Sequence, residues 1–322
     1  MTDDRRATRD TSRVALVTCA DLPELDPDDR LLAAALRGLG VEPVAAVWDD
    51  PAVDWSGFDL AVLRSPWDYP ARRAEFLGWA ATVPALANPV DVVTWNTDKR
   101  YLVELDLAGL PVVPTSWLAA DDRWQPPQTG EWVVKPAVGV GSKSCGRYRL
   151  ADPVHRRLAG SHVARLQHAG QLVMVQPYQP AVDRYGETAV LFLAGPGRDG
   201  LLYSHAVRKG PMLAGPDRPS PELFRPEQIT DRVPSAAELA LARRVLAEVP
   251  GGPDRLLYAR VDLIPGVDGR PQLVEVELTE PSLFLGYEPG AAARLAAAIA
   301  ARLRPGQGGR AGPLGPRSRP AP

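Results

Sequence analysis

The sequence predicts an α/β fold: an open parallel sheet at the N-terminus, followed by a larger part of α+β character. Three observations predict it. Apolar strand-like runs alternate with helix-like runs from Arg13 to Thr82, the pattern of parallel strands joined by crossover helices. At 322 residues, with 45% apolar and 24% charged side chains, the chain has room for two or three lobes with substantial cores. Near the other end, Leu257 to Ser282 reads as two short apolar strands joined by a turn rich in Gly, Pro and Asp.

The elements follow in order. Residues 1 to 12 carry mixed charge without periodicity and read as a disordered lead. RVALVTC (Arg13 to Cys19) is a buried strand, and Asp26-Pro27 opens a helix through LLAAALRGLG that Gly38 and Gly40 stop. VEPVAAVW and FDLAVL (Phe58 to Leu63) are the next strands, with a helix over Arg72 to Thr82. Residues 85 to 98 read as a linker, Lys99 to Leu107 as a helix, and Leu110 to Trp117 as a strand with Pro at both ends. Strands over 131–135 and 146–149 flank a loop dense in Gly and Ser, and a helix covers about Pro153 to His168. Leu172 to Gln176, Thr188 to Leu193 and LLYSHAVRKG (Leu201 to Gly210) are strands, with GRDG (Gly197 to Gly200) as a hairpin turn. Residues 211 to 235 are Pro-rich and irregular. Helices over Ser235 to Glu248 and Ala291 to Leu303 complete the chain, and the Pro/Gly-rich stretch after Arg304 reads as a disordered tail.

Composition excludes several classes. A net charge of −2 offers no case for nucleic acid or an anionic membrane surface. There is no run of about 18 apolar residues, and the polar opening has no signal-peptide character, so the cytoplasm is the expected compartment. Cys19 and Cys145 make no disulfide framework, and His155, His162, His168 and His205 make no metal-ligand pattern. The first three histidines are placed on helix surfaces. Basic residues number 37, of which 33 are Arg and only four are Lys, at 99, 135, 143 and 209. A lysine retained in such a background suits a task a planar guanidinium performs less well, such as reaching a phosphate as a point charge.

On the strands of Leu257 to Ser282 stand Arg260, Asp262, Glu275 and Glu277. The i, i+2 spacing sends each pair to one face of its strand. If the strands form a hairpin, three carboxylates and a guanidinium converge, and hard oxygen donors suit Mg²⁺ held together with nucleotide phosphates. Taken alone, the pattern equally fits a sheet with one wet face. A second motif is the loop from Ala137 to Gly146. Its Gly139, Gly141 and Ser142 give a backbone able to fold over anionic oxygens, with Lys143 in reach; a plain hairpin loop has the same composition. The third strand ends in Arg64-Ser65-Pro66-Trp67-Asp68-Tyr69, which reads equally as a substrate-recognition loop, with Arg64 and Asp68 as contacts, or as a structural turn. No Gly-x-Gly-x-x-Gly follows the first strand, so a dinucleotide site is not expected.

Six segments in order now carry a resemblance: Thr97-Asp98-Lys99; Leu110 to Thr115; Val134-Lys135-Pro136 with its Gly/Ser loop; Gln176-Pro177-Tyr178 with Gly186-Glu187; Val207-Arg208-Lys209; and Ala259-Arg260-Val261-Asp262 with Glu275-Val276-Glu277. Together they resemble the ATP-grasp superfamily, in its glutathione synthetase and D-alanine–D-alanine ligase branch, and look closest to actinobacterial ATP-grasp proteins that include the D-cycloserine-forming cyclo-ligase. The resemblance spans roughly residues 13 to 305. It implies a substrate-binding pre-ATP-grasp domain over 13–90 and a two-lobed ATP-grasp domain over 91–305, with a lid subdomain at about 112–175 and the tail at 306–322.

It also implies roles. Lys99 and Lys135 would hold ATP phosphates, and the loop 138–146 would close over them. Residues 174 to 178, including Gln176 and Tyr178, would meet adenine, with Glu187 on the ribose. Asp262, Glu275 and Glu277 would hold two Mg²⁺ ions, with Mn²⁺ as the alternative cation. Glu277 stands where relatives often have Asn. Arg260, with Lys209 and Arg208, would stabilise charge developing in transfer. The implied function is an ATP-dependent, ADP-forming ligase that activates a carboxylate as an acyl phosphate for attack by an amine. The alternatives are a kinase-like phosphotransferase and a non-catalytic nucleotide-binding regulator. Small-molecule carboxylate and amine substrates are the implied partners. The resemblance allows a homodimer, for which the sequence shows no interface signal.

Overall fold

The computed structural model describes residues 11–197, 200–218, 223 and 227–303. All but the last two residues of the expected lead, the tail, and the centre of the turn at 197–200 lie outside the described residues. In chain order the elements are β1 (Arg13–Thr18), α1 (Pro27–Gly38), β2 (Glu42–Val47), β3 (Leu60–Ser65), α2 (Arg73–Ala80), β4 (Leu86–Ala87), α3 (Val90–Asn96), α4 (Tyr101–Leu107) and β5 (Ser116–Leu118). Then come β6 (Glu131–Pro136), β7 (Gly146–Arg149), α5 (Pro153–His168), β8 (Val173–Pro177), α6 (Ala181–Tyr185), β9 (Glu187–Ala194), β10 (Leu201–Lys209) and β11 (Ile229–Asp231). The last are α7 (Ala236–Ala247), β12 (Tyr258–Pro265), β13 (Pro271–Glu277) and α8 (Ala291–Leu303).

The first sheet has the order β2-β1-β3-β4, all parallel. Every residue of β3 is buried, as a central parallel strand covered on both faces requires. α1 begins where the sequence signals it. Asp26 caps it by accepting from the Asp28 N–H at 2.8 Å, Pro27 takes the first turn, and Leu32, Ala33 and Leu36 face the core. The segment expected as a linker over 85–98 instead holds β4 and α3. Val92 and Val93 are fully buried there, so tertiary packing outweighs the weak helix preference of β-branched residues. Asn88 clasps the neighbouring sheet: its side-chain amide donates to the carbonyls of Tyr258 and Leu278 and accepts from the Leu257 N–H.

The second sheet is antiparallel, β11-β10-β9-β12-β13. One apolar core runs from the first sheet into it, joining Val14, Leu16 and Val62 to Leu191, Leu193, Tyr258 and, from α8, Ile299. α7 covers the other face through Leu241, Val245 and Leu246. The third sheet, β5-β8-β6-β7, is also antiparallel and has its own core under α5. The strand expected over 110–117 shrinks to β5 and a single bridge between Val112 and Leu273. Pro111 and Pro114 have no N–H to donate, so a continuous ladder cannot form there. His162, expected on the surface of α5, is 3% exposed and shares a 2.8 Å hydrogen bond with the Tyr148 hydroxyl. The amphipathic stripe of α5 includes it.

Candidate active site

Between the second and third sheets, and open towards the first, lies a cleft of about 650 Å³. Its floor is the hairpin of β12 and β13. Their register sets Arg260 opposite Glu277 and Asp262 opposite Glu275, so the i, i+2 pairs meet on one face. Carboxylate oxygens of Asp262, Glu275 and Glu277 lie within 4.8 Å of one another. Such crowding of like charge is costly unless cations answer it. Three basic side chains do. Arg260 forks onto both oxygens of Asp262 at 2.9 Å and reaches Glu277, Lys209 Nζ lies 2.9 Å from Asp262, and Lys99 Nζ lies 3.3 Å from Glu275.

Electrostatics divides the carboxylates. Burial pushes Glu277 up, opposed by Arg260 and reinforced by Glu275 and Asp262. Burial acts on Glu275 in the same sense, but Lys99, Lys135, Lys209 and Arg260 together hold it well below the usual carboxylate range. Lys209 is held above the ordinary lysine value against burial, by Asp262 and then Glu187. Three mutually adjacent hard oxygen donors, Glu275 and Glu277 on the cleft floor with Asp262 beneath them, fit a divalent cation such as Mg²⁺.

The opposite wall belongs to β6, β8 and the loop after β6. Lys135 enters the cleft from β6 without an ion-pair partner among the described residues. The loop, whose Gly139 to Lys143 line the cleft, holds Gly141, Ser142 and Ser144 in the left-handed region, at φ of 57°, 55° and 53°. Lys99 ties the loop to the floor through a 2.9 Å bond from Nζ to the Gly139 carbonyl. An apolar slot built from Val113, Val133, Tyr178, Val182 and Ile264 continues the cleft beyond the lysines. Arg147 lies 3.5 Å over the Tyr178 ring, and the Tyr178 hydroxyl donates to Asp183 at 2.6 Å, which fixes that wall.

Most expected site residues line this one cleft: Lys99, Lys135, Gly139, Gly141, Ser142, Lys143, Gln176, Tyr178, Glu187, Lys209, Arg260, Glu275 and Glu277. Asp262 lies beneath them, fully buried. One detail departs from expectation. The N–H of Tyr178 already donates to the Glu131 carbonyl at 2.8 Å and is not available to a base. Glu187 sits 3.4 Å from Lys209, among the charged groups of the floor.

Three expected residues are elsewhere. Arg208 precedes Lys209 on β10 and so points to the opposite face, where its Nε donates to the Tyr185 carbonyl. Arg64 is 1% exposed. Its guanidinium pairs with Asp29 at 2.8 Å, donates to the Pro281 carbonyl at 2.9 Å and lies 5.3 Å from the centroid of the Tyr258 ring. Asp68 accepts from Trp48 Nε1 and Arg72. Both bind the first sheet to its surroundings and do not line the cleft. From the same loop, Trp67 and Tyr69 do, together with Asp26, Asp28, Glu227 and Glu280, which motif spacing did not single out. For Glu280 a weak signal existed, an acidic residue three positions past Glu277. For Glu227 there was none.

Comparison with known proteins agrees with this architecture. A RimK domain ATP-grasp protein from Sphaerobacter thermophilus superimposes with a TM-score of 0.60 at 20% identity, over 92% of this chain and all of that one, a likeness of fold alone. The fold is that of the ATP-grasp proteins. A family profile described as the N-terminal domain of D-cycloserine synthetase DcsG matches residues 14–91. The cycloserine biosynthesis protein DcsG of Streptomyces lavendulae is 40% identical over 313 residues, covering 91% of this chain and 99% of that protein. The crystal structure of D-cycloserine synthetase DcsG gives a TM-score of 0.78 at 37% identity, over 91% of this chain and all of that one. The chain belongs to the DcsG family of ATP-grasp ligases.

Proposed function

We propose that this ligase phosphorylates a small carboxylate at the expense of ATP and transfers the acyl group to an amine, with ring closure inside one substrate as the leading case. DcsG is a D-cycloserine synthetase, and kinship along nearly the whole chain supports a related intramolecular ligation in small-molecule biosynthesis, in the cytoplasm. The observation that carries the reading is the floor of the cleft, where Asp262, Glu275 and Glu277 meet Lys99, Lys209 and Arg260.

In this reading residues 13–90 supply the substrate side and 91–305 the nucleotide side, with a lid at about 112–175. Val113, Val133, Tyr178, Val182 and Ile264 enclose the adenine, and Glu187 approaches the ribose. Lys99, Lys135 and Lys143, with the amides of the 138–146 loop, grip the phosphates. Asp262, Glu275 and Glu277 would hold two Mg²⁺ ions, or Mn²⁺, which when bound neutralise phosphate charge. The lysines orient the γ-phosphoryl group for in-line attack by the substrate carboxylate. The loop excludes water that would destroy the acyl phosphate. Arg260 and Lys209 then face the tetrahedral oxyanion as the amine attacks.

The test is ADP release with candidate amino-acid carboxylates, with and without hydroxylamine. Hydroxamate formation reports an acyl phosphate. ADP release with a stable phosphorylated product and no hydroxamate identifies a kinase instead, and ATP binding without turnover identifies a regulator.

A further inference from the structure

Of the acidic residues that line the cleft beside the three clustered carboxylates, Glu280 is one that the phosphate and metal assignments leave unused. It follows β13 by three residues and is 9% exposed, on the part of the wall formed by Trp67 and Tyr69. The Tyr69 hydroxyl donates to Oε1 at 3.0 Å, and Trp67 Nε1 donates to the Glu280 main-chain oxygen at 3.1 Å. Tyr69 is itself 3% exposed and stacks on Phe76 with ring centroids 4.9 Å apart. Anchored on both sides, the tyrosine fixes the carboxylate by one oxygen and in one orientation.

The other oxygen, Oε2, accepts no hydrogen bond among the described residues, and none of their basic side chains lies within ion-pairing distance of the carboxylate. Each of the three clustered carboxylates has a lysine or arginine partner. Nor does Glu280 belong to the cluster suited to a metal ion. Burial pushes its carboxyl up to about 7, the Tyr69 hydrogen bond and Lys99 oppose that, and Glu275 adds to it. A buried carboxylate oriented by its own tyrosine, with one oxygen left open to a cleft, is complementary to a cationic hydrogen-bond donor. Lys99, Glu275 and Arg260, which would handle the activated carboxylate, line the same cleft.

Resting on the ligase reading, we propose that Glu280, oriented by Tyr69, binds the ammonium group of the substrate through Oε2. The cleft therefore selects amino acids and their close derivatives over simple carboxylic acids. Glu280 is the specificity-determining residue and Tyr69 its positioning residue.

The experiment compares hydroxamate formation from D-alanine and D-serine with that from propionate and 3-hydroxypropionate, using the full chain with ATP, Mg²⁺ and hydroxylamine. The wild-type enzyme prefers the amino acids. Glu280→Gln keeps the Tyr69 bond but not the charge, and lowers kcat/KM for the amino acids about 10- to 100-fold, mainly through KM, while the deaminated acids change little. Tyr69→Phe gives a smaller shift in the same direction. An unchanged preference in Glu280→Gln, or equal losses for both substrate sets, overturns the assignment while leaving the ligase reading intact. No hydroxamate from D-alanine or D-serine with the wild-type enzyme also overturns the assignment, while the ligase reading stands or falls separately on ADP release over the wider set of carboxylates.

Discussion

Replacing Arg64 tests whether the loop after β3 serves the substrate or the scaffold. In Arg64→Met the volume is nearly kept, but Asp29, itself 1% exposed, loses the guanidinium 2.8 Å away. The donation to the Pro281 carbonyl at 2.9 Å is lost as well, while among the described residues Asp29 keeps the 3.1 Å side-chain bond from Ser65. Removing one member of a buried ion pair leaves an uncompensated charge, at a cost of about 3–5 kcal/mol. Against a total stability of about 5–15 kcal/mol, that is a large fraction. Urea unfolding should show the midpoint fall at constant slope. The double variant with Asp29→Leu removes both charges and should be more stable than Arg64→Met alone. A variant that keeps wild-type stability but raises substrate KM tenfold would refute the structural role and return Arg64 to the substrate.

Two further outcomes follow from the same geometry. Lys135→Ala removes a cleft cation that holds no ion pair among the described residues. ATP turnover should fall at least about 100-fold with an unchanged circular dichroism spectrum, and turnover within tenfold of wild type would exclude Lys135 from phosphate binding. Burial pushes the Asp28 carboxyl up to about 6, with Asp29 adding and Arg64 opposing, and one of its oxygens has no hydrogen-bond partner. The folded chain thus holds a proton that the unfolded chain releases near pH 4, so this contribution to stability is lost as pH rises from about 4 to 6. Asp28→Asn should gain on wild type over that window, by up to about 3 kcal/mol at pH 8, and parallel stability curves would contradict the burial argument.

The parts that read well from sequence were those governed by local pattern. The cap and proline of α1, the full length of α5 and the convergence of Arg260, Asp262, Glu275 and Glu277 on a hairpin all follow from short-range spacing. What did not read was set by distant contacts. Arg64 follows an apolar strand as a substrate ligand would, and only the arrival of Asp29 and Tyr258 makes it a strut. Arg208 and Lys209 are adjacent and alike in charge, yet strand alternation sends them to opposite faces. Glu280 gains its interest only from Tyr69, 211 positions away in sequence.

The continuity of the core between the first two sheets bears on motion. Side chains of β1, β3, β9, β12 and α8 interdigitate in one apolar mass, and Asn88 bolts the two sheets at the end of β12. Close-packed interiors resist shear, so these layers travel together as a single rigid body. The sheet under α5 faces that body across the cleft with a core of its own, and is joined to it where Met174 of β8 and Val133 of β6 pack against the strands of the floor.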